Sequence, residues 1–297
     1  MIFSIAKNVG GGYIMKKGGY MMEENVIEVK QLSKRFQTTV ALQGCDFSVR
    51  KGEIFGFLGP SGAGKTTTIK LLTGQLKSDG GEIQILKESP FSSKIKSQIG
   101  IMSDNSGLYE KMSVYDNLLL FAKIYGIDKS CIEKVLEEVD LLEAKKQLVS
   151  QLSKGMKQRL IFARTIIHSP SLLFLDEPTA NLDPSTANEV REIIKKLNAK
   201  GTTVFLTTHN MEEADEMCHR VAFLNHGHII ESGQPEALKL KYSKKQIRIK
   251  TTQQDYTIPL DLKLLKQELE QIDELLMIHS IEPTLKEVFL TLTKEES

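Results

Sequence analysis

The chain has 297 residues, of which 40% are hydrophobic and 26% are charged, a composition typical of a globular protein with enough apolar material for a core. Its 39 Lys and Arg residues and 38 Asp and Glu residues give a net charge of +1, so no basic excess indicates a nucleic-acid-binding protein. The three cysteines are far apart and lack zinc-binding spacing, and we interpret them as reduced thiols of a cytosolic protein. No apolar run has the length of a membrane-spanning helix.

The first 24 residues do not have the pattern of a signal peptide, because Lys7 and a glycine cluster interrupt their apolar stretches. We predict that residues 1–24 form a disordered leader. From residue 26 to residue 49 the pattern alternates loosely, and the segments VIEVKQL and CDFSV predict two antiparallel strands around a turn.

The segment GEIFGFLGPSGAGKTTTIKLLTG predicts a strand over Ile54 to Leu58, a glycine loop and then a helix. The loop fits the pattern G-x-x-x-x-G-K-[ST], in which backbone N–H groups and a helix N-terminus surround phosphate groups. Lys65 is expected to reach the β- and γ-phosphates, and the Thr66 hydroxyl is expected to ligate Mg²⁺. The predicted nucleotide-binding residues of the loop are Gly59, Pro60, Ser61, Gly62, Ala63, Gly64, Lys65, Thr66 and Thr67.

The middle of the chain changes to helical spacing between residues 104 and 168, where Ser113 and Asp116 form a predicted N-cap pair. Strands and helices then alternate up to Gly233. We therefore predict an α/β fold: a P-loop NTPase core with a mostly parallel sheet, an antiparallel β subdomain and a helical subdomain.

Two adjacent acids end the apolar segment Leu172 to Leu175, which predicts a strand buried on both faces. Ligands of open α/β sheets bind at the carboxyl ends of such strands. In P-loop proteins an acid at this place holds Mg²⁺, and Asp176 is the candidate. Glu177 would then face the γ-phosphate and orient or deprotonate the attacking water.

Residues 239–297 are predicted to form a linker and a small α+β accessory tail. The basic run KLKYSKKQIRIK, residues 239–250, is interpreted as the linker. The tail ends in TLKEVFLTLT, where four apolar residues share one helix face and Thr284 with Glu287 predicts an N-terminal cap.

Five ordered segments between residues 25 and 238 together resemble the ATP-binding subunits of ABC transporters. They are LSKRF ending at Phe36, the phosphate loop, LSKGMKQR (residues 152–159) at the signature position, LLFLDEPTANLD (172–183) and TTHNMEEAD (207–215). The resemblance implies that residues 25–238 form an ABC ATPase domain that uses ATP and Mg²⁺.

The resemblance also implies roles for residues outside the phosphate loop. Phe36 would stack on adenine, and His209 would be the switch histidine. In that family two ATPase subunits, identical or different, face head to tail. Ser153 and Gly155 would therefore bind the ATP of the partner subunit, and Asp183 would help to couple the two sites.

The chain departs from the family pattern at two places. Lys154 and Met156 stand in the signature motif where Gly and Gln are usual, and Lys154 either adds positive charge near the phosphates or extends into solvent. Asp104 stands where Gln is usual, in the loop that touches Mg²⁺. Asp104 is either a metal-tuning residue or an exposed acid without a catalytic role.

Three functions are compatible with a P-loop, and the other motifs decide between them. The first is an ATPase subunit at the cytoplasmic face of the cell membrane that powers a separate membrane-spanning permease, for export of a drug, an antibiotic peptide or a lipid. The alternative is a soluble ABC-type ATPase acting on ribosomes or nucleic acid, but the second ATPase domain or long coiled-coil insertion usual in those proteins is missing from this sequence. A P-loop kinase would need neither a signature helix nor a switch histidine. The sequence favours the transport ATPase, with no nucleic-acid partner.

Overall fold

The computed structural model describes residues 24–103 and 107–295. In chain order its strands are β1 (Asn25–Phe36), β2 (Thr39–Arg50), β3 (Ile54–Leu58), β4 (Gly80–Ile85), β5 (Ile99–Met102), β6 (Leu172–Asp176), β7 (Thr203–Thr208), β8 (Arg220–Asn225), β9 (His228–Gly233), β10 (Gln246–Thr251), β11 (Asp255–Pro259) and β12 (Leu275–Ile281). Its helices are α1 (Lys65–Leu72), α2 (Ser93–Lys96), α3 (Val114–Tyr125), α4 (Cys131–Glu138), α5 (Lys154–Ile166), α6 (Pro184–Ala199), α7 (Met211–Met217), α8 (Pro235–Lys241), α9 (Leu262–Glu270) and α10 (Leu285–Glu295). The predicted leader, except Glu24, lies outside the described residues.

The central sheet has six strands in the order β5-β6-β7-β3-β8-β9. All neighbouring pairs are parallel except β8 and β9. Successive residues of β6 enter two different apolar clusters, Leu173 and Leu175 on one face and Leu172 and Phe174 on the other. The sheet is therefore buried on both faces, as the continuous apolar pattern of the strand predicts.

One face of this sheet is covered by an aromatic cluster and helix α1. Phe205 of β7 lies 5.6–6.0 Å, ring centre to ring centre, from four other phenylalanines. One of them is Phe47 of β2, which belongs to a three-stranded antiparallel sheet in the order β2-β1-β4. The predicted antiparallel β subdomain thus packs on the face of the central sheet that includes β3, the strand that leads into the phosphate loop.

The other face is covered by helices α5, α6 and α7 together with the helical region that contains α3 and α4. The predicted cap of α3 is present, since the Asp116 N–H donates to the Ser113 hydroxyl over 3.0 Å. None of the helices in residues 24–103 and 107–295 is long and apolar enough to cross a membrane.

The tail contains a three-stranded antiparallel sheet in the order β11-β10-β12, on which α9 packs. The linker prediction for residues 239–250 is wrong at both ends, because α8 runs to Lys241 and β10 begins at Gln246. The physical reason is burial: Leu238 anchors α8 in the core of residues 25–238, the cassette, and Ile247 and Ile249 alternate into the core of the tail. Only residues 242–245 connect the two elements.

The last helix, α10, leaves the tail sheet and packs on the cassette. Leu285 and Val288 are buried in the same apolar cluster as Ala214 of α7, and the Phe289 ring lies 5.6 Å from that of Phe223. The predicted cap is present, since the Thr284 N–H donates to Glu287 over 2.8 Å and the Glu287 N–H donates to the Thr284 hydroxyl over 3.2 Å. Part of the predicted accessory region therefore completes the cassette core.

Candidate nucleotide-binding and hydrolysis site

The phosphate loop connects β3 to α1 at the carboxyl edge of the parallel strands. Gly64 precedes the first helical residue with φ of 115°, and a Cβ there would lie 2.5 Å from the Ala41 carbonyl oxygen. Only glycine fits this left-handed and crowded position. The turn leaves the first N–H groups of α1 at the loop, where a helix N-terminus favours anions.

Lys65 is buried, and its ammonium lies inside the loop. It donates to the carbonyl oxygens of Gly59 over 2.8 Å and Pro60 over 3.2 Å. Its third neighbour is the Glu177 carboxylate, 3.2 Å away. The same cation thus contacts the phosphate loop and the acid that follows β6, as expected if both serve one ligand.

Asp176 and Glu177 point to different partners at the end of β6. Asp176 is 3% exposed and accepts a hydrogen bond of 2.5 Å from the Thr207 hydroxyl of β7. In the described part of the chain no Lys, Arg or His forms an ion pair with Asp176. A buried carboxylate without a cation carries an electrostatic cost, so its oxygens are suited to a metal ion.

Glu177 has a left-handed backbone with φ of 49°, which is uncommon for a residue with a side chain and is associated with functional sites. Its N–H donates to the Thr207 carbonyl oxygen over 3.1 Å, which fixes the turn. One carboxylate oxygen contacts Lys65, and the other lies 2.8 Å from His209 Nδ1. The structure therefore brings together the predicted phosphate loop, the two acids and the histidine.

The predicted adenine and magnesium residues of the N-terminal half lie at the surface. Phe36 ends β1 with 43% of its surface exposed, and the Lys34 ammonium lies 5.5 Å from its ring centre. Thr66 is exposed on the first turn of α1, while Thr67 is partly buried. Asp104 lies outside the described residues.

The signature residues are placed elsewhere, against the segment that follows Glu177. Ser153 caps α5 by accepting from the Met156 N–H over 3.2 Å. A Cβ on Gly155 would lie 2.6 Å from Thr186 Cγ2, so the glycine permits close contact with α6. No hydrogen bond or ion pair in residues 24–103 and 107–295 joins Ser153 or Gly155 to the phosphate loop.

Asp183 caps α6 from its N-terminal side. Its carboxylate accepts from the Thr186 N–H over 3.1 Å and from the Thr186 hydroxyl over 2.7 Å. The Thr186 hydroxyl and N–H hold the pKa of Asp183 below its ordinary value. The Lys154 ammonium donates to the Asn181 carbonyl, so Lys154 links the signature helix to the same loop although it is exposed.

Sequence reasoning missed two residues that hold this site together. Thr207 contacts both Asp176 and the Glu177 N–H, and Glu213 of α7 accepts hydrogen bonds from Thr179 and from Thr208, the last residue of β7. Both lie within or beside the segment TTHNMEEAD that carries His209. Their closeness in the chain to His209 is the sequence signal that could have identified them.

Comparisons with known proteins agree with the site and the fold. The sequence profile of the ABC transporter family matches residues 42–180. A fluoroquinolones export ATP-binding protein of Mycobacterium tuberculosis (strain CDC 1551 / Oshkosh) is 42% identical over 228 residues, which cover 75% of this chain and 76% of that protein. The linearmycin resistance ATP-binding protein of Bacillus subtilis (strain 168) is 36% identical over 217 residues, which cover 70% and 69%.

A solved structure gives the same result at the level of the fold. A dimeric bacterial ABC transporter cassette aligns with a TM-score of 0.63 and 25% identity, covering 70% of this chain and 98% of that chain. The prediction of a P-loop α/β cassette is confirmed.

Proposed function

The chain belongs to the ABC transporter family, and we propose that it is the ATP-hydrolysing subunit of an exporter whose membrane-spanning permease is a separate chain. The observation that carries the proposal is the contact of Glu177 with both Lys65 and His209 at the carboxyl edge of the sheet. One relative is named for fluoroquinolones export and another for linearmycin resistance. These names support a drug as cargo, and with the sequence resemblance we infer a drug, an antibiotic peptide or a lipid.

ATP would be held by groups from three elements. The backbone N–H groups of residues 59–64 and the N-terminus of α1 suit the phosphates, and Lys65 adds a positive charge among them. The Phe36 ring, 43% exposed, would stack on the flat base. In this arrangement the phosphate loop and the buried Lys65 would bind the charged phosphates, and the exposed Phe36 would bind the adenine.

Thr66 and Asp176 are the residues that would hold Mg²⁺, with Asp104 as a further candidate. The fit rests on the chemistry of these groups, since Asp176 is a buried carboxylate and Mg²⁺ prefers oxygen ligands. When bound, the ion supplies neutralisation of the phosphate charge. The Thr207 hydroxyl meanwhile fixes the orientation of the Asp176 carboxylate.

Glu177 is the proposed general base that accepts a proton from the attacking water. Its rigid turn and the 2.8 Å contact with His209 fix the carboxylate at the phosphate loop. His209 would orient that carboxylate through this contact and would itself contact the terminal phosphate. General-base catalysis of this kind contributes about 10²–10⁴-fold to a rate.

The working unit is proposed to be a dimer of ATPase subunits, either two copies of this chain or this chain with a related one. Ser153 and Gly155 lie at the N-terminus of α5, where anions are favoured, and they would face the ATP of the opposite subunit. Asp183 and Lys154 bracket the loop beside them, which would couple the two sites. Association with a permease would place the dimer at the cytoplasmic face of the cell membrane.

The test begins with two variants of the hydrolysis site. We expect Lys65→Ala to lose ATP binding, and Glu177→Gln to bind ATP but release phosphate about 10²–10⁴-fold more slowly. Steady-state phosphate release and equilibrium binding of labelled ATP measure the two effects. A fully active Glu177→Gln variant would contradict the base assignment.

The partner is tested by affinity purification of tagged Glu177→Gln from detergent-solubilised native membranes with ATP present, followed by mass spectrometry. We expect a membrane protein with several spans, and much less of it with Lys65→Ala as the matched control. Recovery of ribosomes or nucleic acid without a membrane protein would instead support the soluble ABC-type ATPase.

A further inference from the structure

Glu213, in the first turn of α7, is a carboxylate that the hydrolysis scheme above does not use. It is 1% exposed, and in the described part of the chain it forms no ion pair with a Lys, Arg or His. Burying an acid in this way is costly unless its hydrogen bonds are well made. The hydrogen-bond partners of the Glu213 carboxylate should therefore explain why an acid is buried at this position.

The two oxygens of Glu213 contact the loop after Glu177 and the end of β7 next to His209. Oε1 accepts from the Thr179 hydroxyl over 2.6 Å, and Thr179 lies two residues after Glu177. Oε2 accepts from the Thr208 hydroxyl over 3.0 Å, and Thr208 immediately precedes His209. One side chain thus joins the turn that carries the base to the turn that carries the histidine.

Two further hydrogen bonds, both donated by backbone N–H groups, connect Thr208 and Glu213 through Asn210. The Asn210 N–H donates to the Thr208 hydroxyl over 3.0 Å, and the Asn210 side chain accepts from the Glu213 N–H over 3.2 Å. The Thr208 hydroxyl therefore accepts one hydrogen bond and donates another, which fixes its proton toward Glu213. A carboxylate, which only accepts, matches both hydroxyl donors.

We propose that Glu213 is a positioning residue that sets the distance between Glu177 and His209 during ATP hydrolysis. The proposal rests on the function proposed above. Glu213 does not touch the reacting groups, and it acts by tying Thr179 and Thr208 to one point beneath them. Small misplacements of catalytic groups can cost about 10²-fold in rate, so the expected effect is on turnover.

The substitutions at this position differ in the contacts that they keep. Glu213→Ala removes both acceptors and leaves two hydroxyls without their partner. Glu213→Gln keeps the shape of the side chain and one acceptor oxygen. Its amide NH2 group then faces one of the two threonine hydroxyls, which in the wild type donates to the second carboxylate oxygen. We expect kcat to fall about 30–100-fold in Glu213→Ala and only about 3–5-fold in Glu213→Gln, with the Kd for ATP within about twofold of wild type in both.

Glu53 supplies a matched control. It is also a buried acid, 6% exposed, but it pairs with Arg220 over 3.1 Å and lies just before β3, at the opposite edge of the sheet from the phosphate loop. We expect Glu53→Gln to lower the thermal unfolding temperature without a change in kcat. The control separates loss of stability from loss of positioning.

The decisive measurement combines Glu213→Ala with Glu177→Gln in the full-length chain. If Glu213 acts through Glu177, the double variant hydrolyses ATP within about twofold of the rate of Glu177→Gln alone, because groups that act as a unit are not additive. Thr179→Val and Thr208→Val should each lower kcat in the same direction as Glu213→Ala. Thermal unfolding of every variant confirms that the folded chain is being compared.

The possible outcomes separate this inference from the function on which it rests. If Glu177→Gln is slow but Glu213→Ala has a normal kcat, or multiplies the loss in the double variant, the positioning role is wrong and the proposed function stands. If Glu177→Gln itself is fully active, both the base assignment and the positioning of that base are overturned.

Discussion

The central sheet of the cassette and the small sheet of the tail differ in how completely they are buried. Every residue of β3, β6 and β7 is buried, whereas no residue of β12 is. The tail core contains Ile247, Ile249 and Ile258 with partly buried neighbours on one side. Strands β3 and β6 of the central sheet are almost continuously apolar, whereas β10 alternates apolar and polar residues, so the two strand patterns correspond to burial on both faces and on one face.

The difference explains where functional groups can be held. A sheet covered on both faces fixes its strand ends, and the segments that follow β3, β6 and β7 can keep Glu177 within hydrogen-bond distance of both Lys65 and His209. A sheet that is thinly covered can open locally at a small cost in free energy. We therefore expect substitutions in the cassette to affect global stability and hydrolysis, and those in the tail to stay local.

The largest expected effect is that of Phe205→Ala in the aromatic cluster. The ring is fully buried and contacts four other phenylalanines, so its removal should lower the free energy of unfolding by about 3–5 kcal/mol. Denaturant-induced unfolding measures this loss. Ile249→Ala, the matched variant in the tail core, should speed hydrogen exchange in β10–β12 and leave the main unfolding transition and ATP hydrolysis unchanged. Equal losses from the two variants would show that cassette and tail unfold as one unit.

The next effect concerns the close contact at the signature motif. Gly155→Ala would place a Cβ 2.6 Å from Thr186 Cγ2, and overpacking of this kind costs about 1–3 kcal/mol. Thr186→Ser removes that methyl group and keeps the hydroxyl bonded to Asp183, although the hydroxyl oxygen still lies 2.9 Å from the added Cβ. The double variant should therefore recover part of the loss in thermal unfolding temperature. A double variant no more stable than Gly155→Ala would mean that the close contact is not the cause.

A smaller effect is expected at the helix cap of the tail. Asp261 accepts from the N–H groups of Lys263 and Leu264 over 2.8 and 3.0 Å at the start of α9. Asp261→Ala should lower local stability by about 1 kcal/mol, measured by hydrogen exchange in α9, while Asp261→Asn retains most of it. Loss of ATP hydrolysis in Asp261→Ala would contradict the separation of tail and cassette.

The smallest effect is a pH dependence at the corresponding cap in the cassette. The pKa of Asp183 is lowered from its ordinary value of 3.8 by the Thr186 hydroxyl and N–H. Because the folded pKa is depressed, the stability from this contact is present above about pH 4 and is lost as the pH falls through the folded pKa. Asp183→Asn should therefore flatten slightly the fall in unfolding temperature as the pH drops below about 4. An unchanged acid profile would mean that Thr186 does not stabilise the charged form.

Most of the cassette could be predicted from the sequence because its signals are local. Four features show this: the phosphate loop, the strand ending in Asp176, and the N-terminal caps of α3 and α10. Each is formed by residues that are close together in the chain. The alternation of strands with helices then implies a parallel sheet, whose carboxyl edge collects the loops. The roles of the site residues stay predictions.

The rest depended on contacts between distant segments. The segment MEEADEM has the composition of an exposed helix, and only the packing of α7 shows that Glu213 faces inward. The basic run after residue 238 predicts a solvated linker, yet Leu238 just before it fixes a helix end, and Ile247 and Ile249 within it fix a strand. Charge pattern describes the exposed face of such a segment, while its buried face depends on partners elsewhere in the chain.

The placement of α10 has a consequence for synthesis of the chain. Its apolar face covers a patch that α7 and α8 form with Phe223 of β8, but roughly 40 residues separate the end of α8 from Leu285, which is about 2–9 s of translation. During that time the rest of the cassette core can assemble while this patch remains open to water. We expect the nascent chain to present there a transient binding surface for chaperones, which disappears once α10 docks.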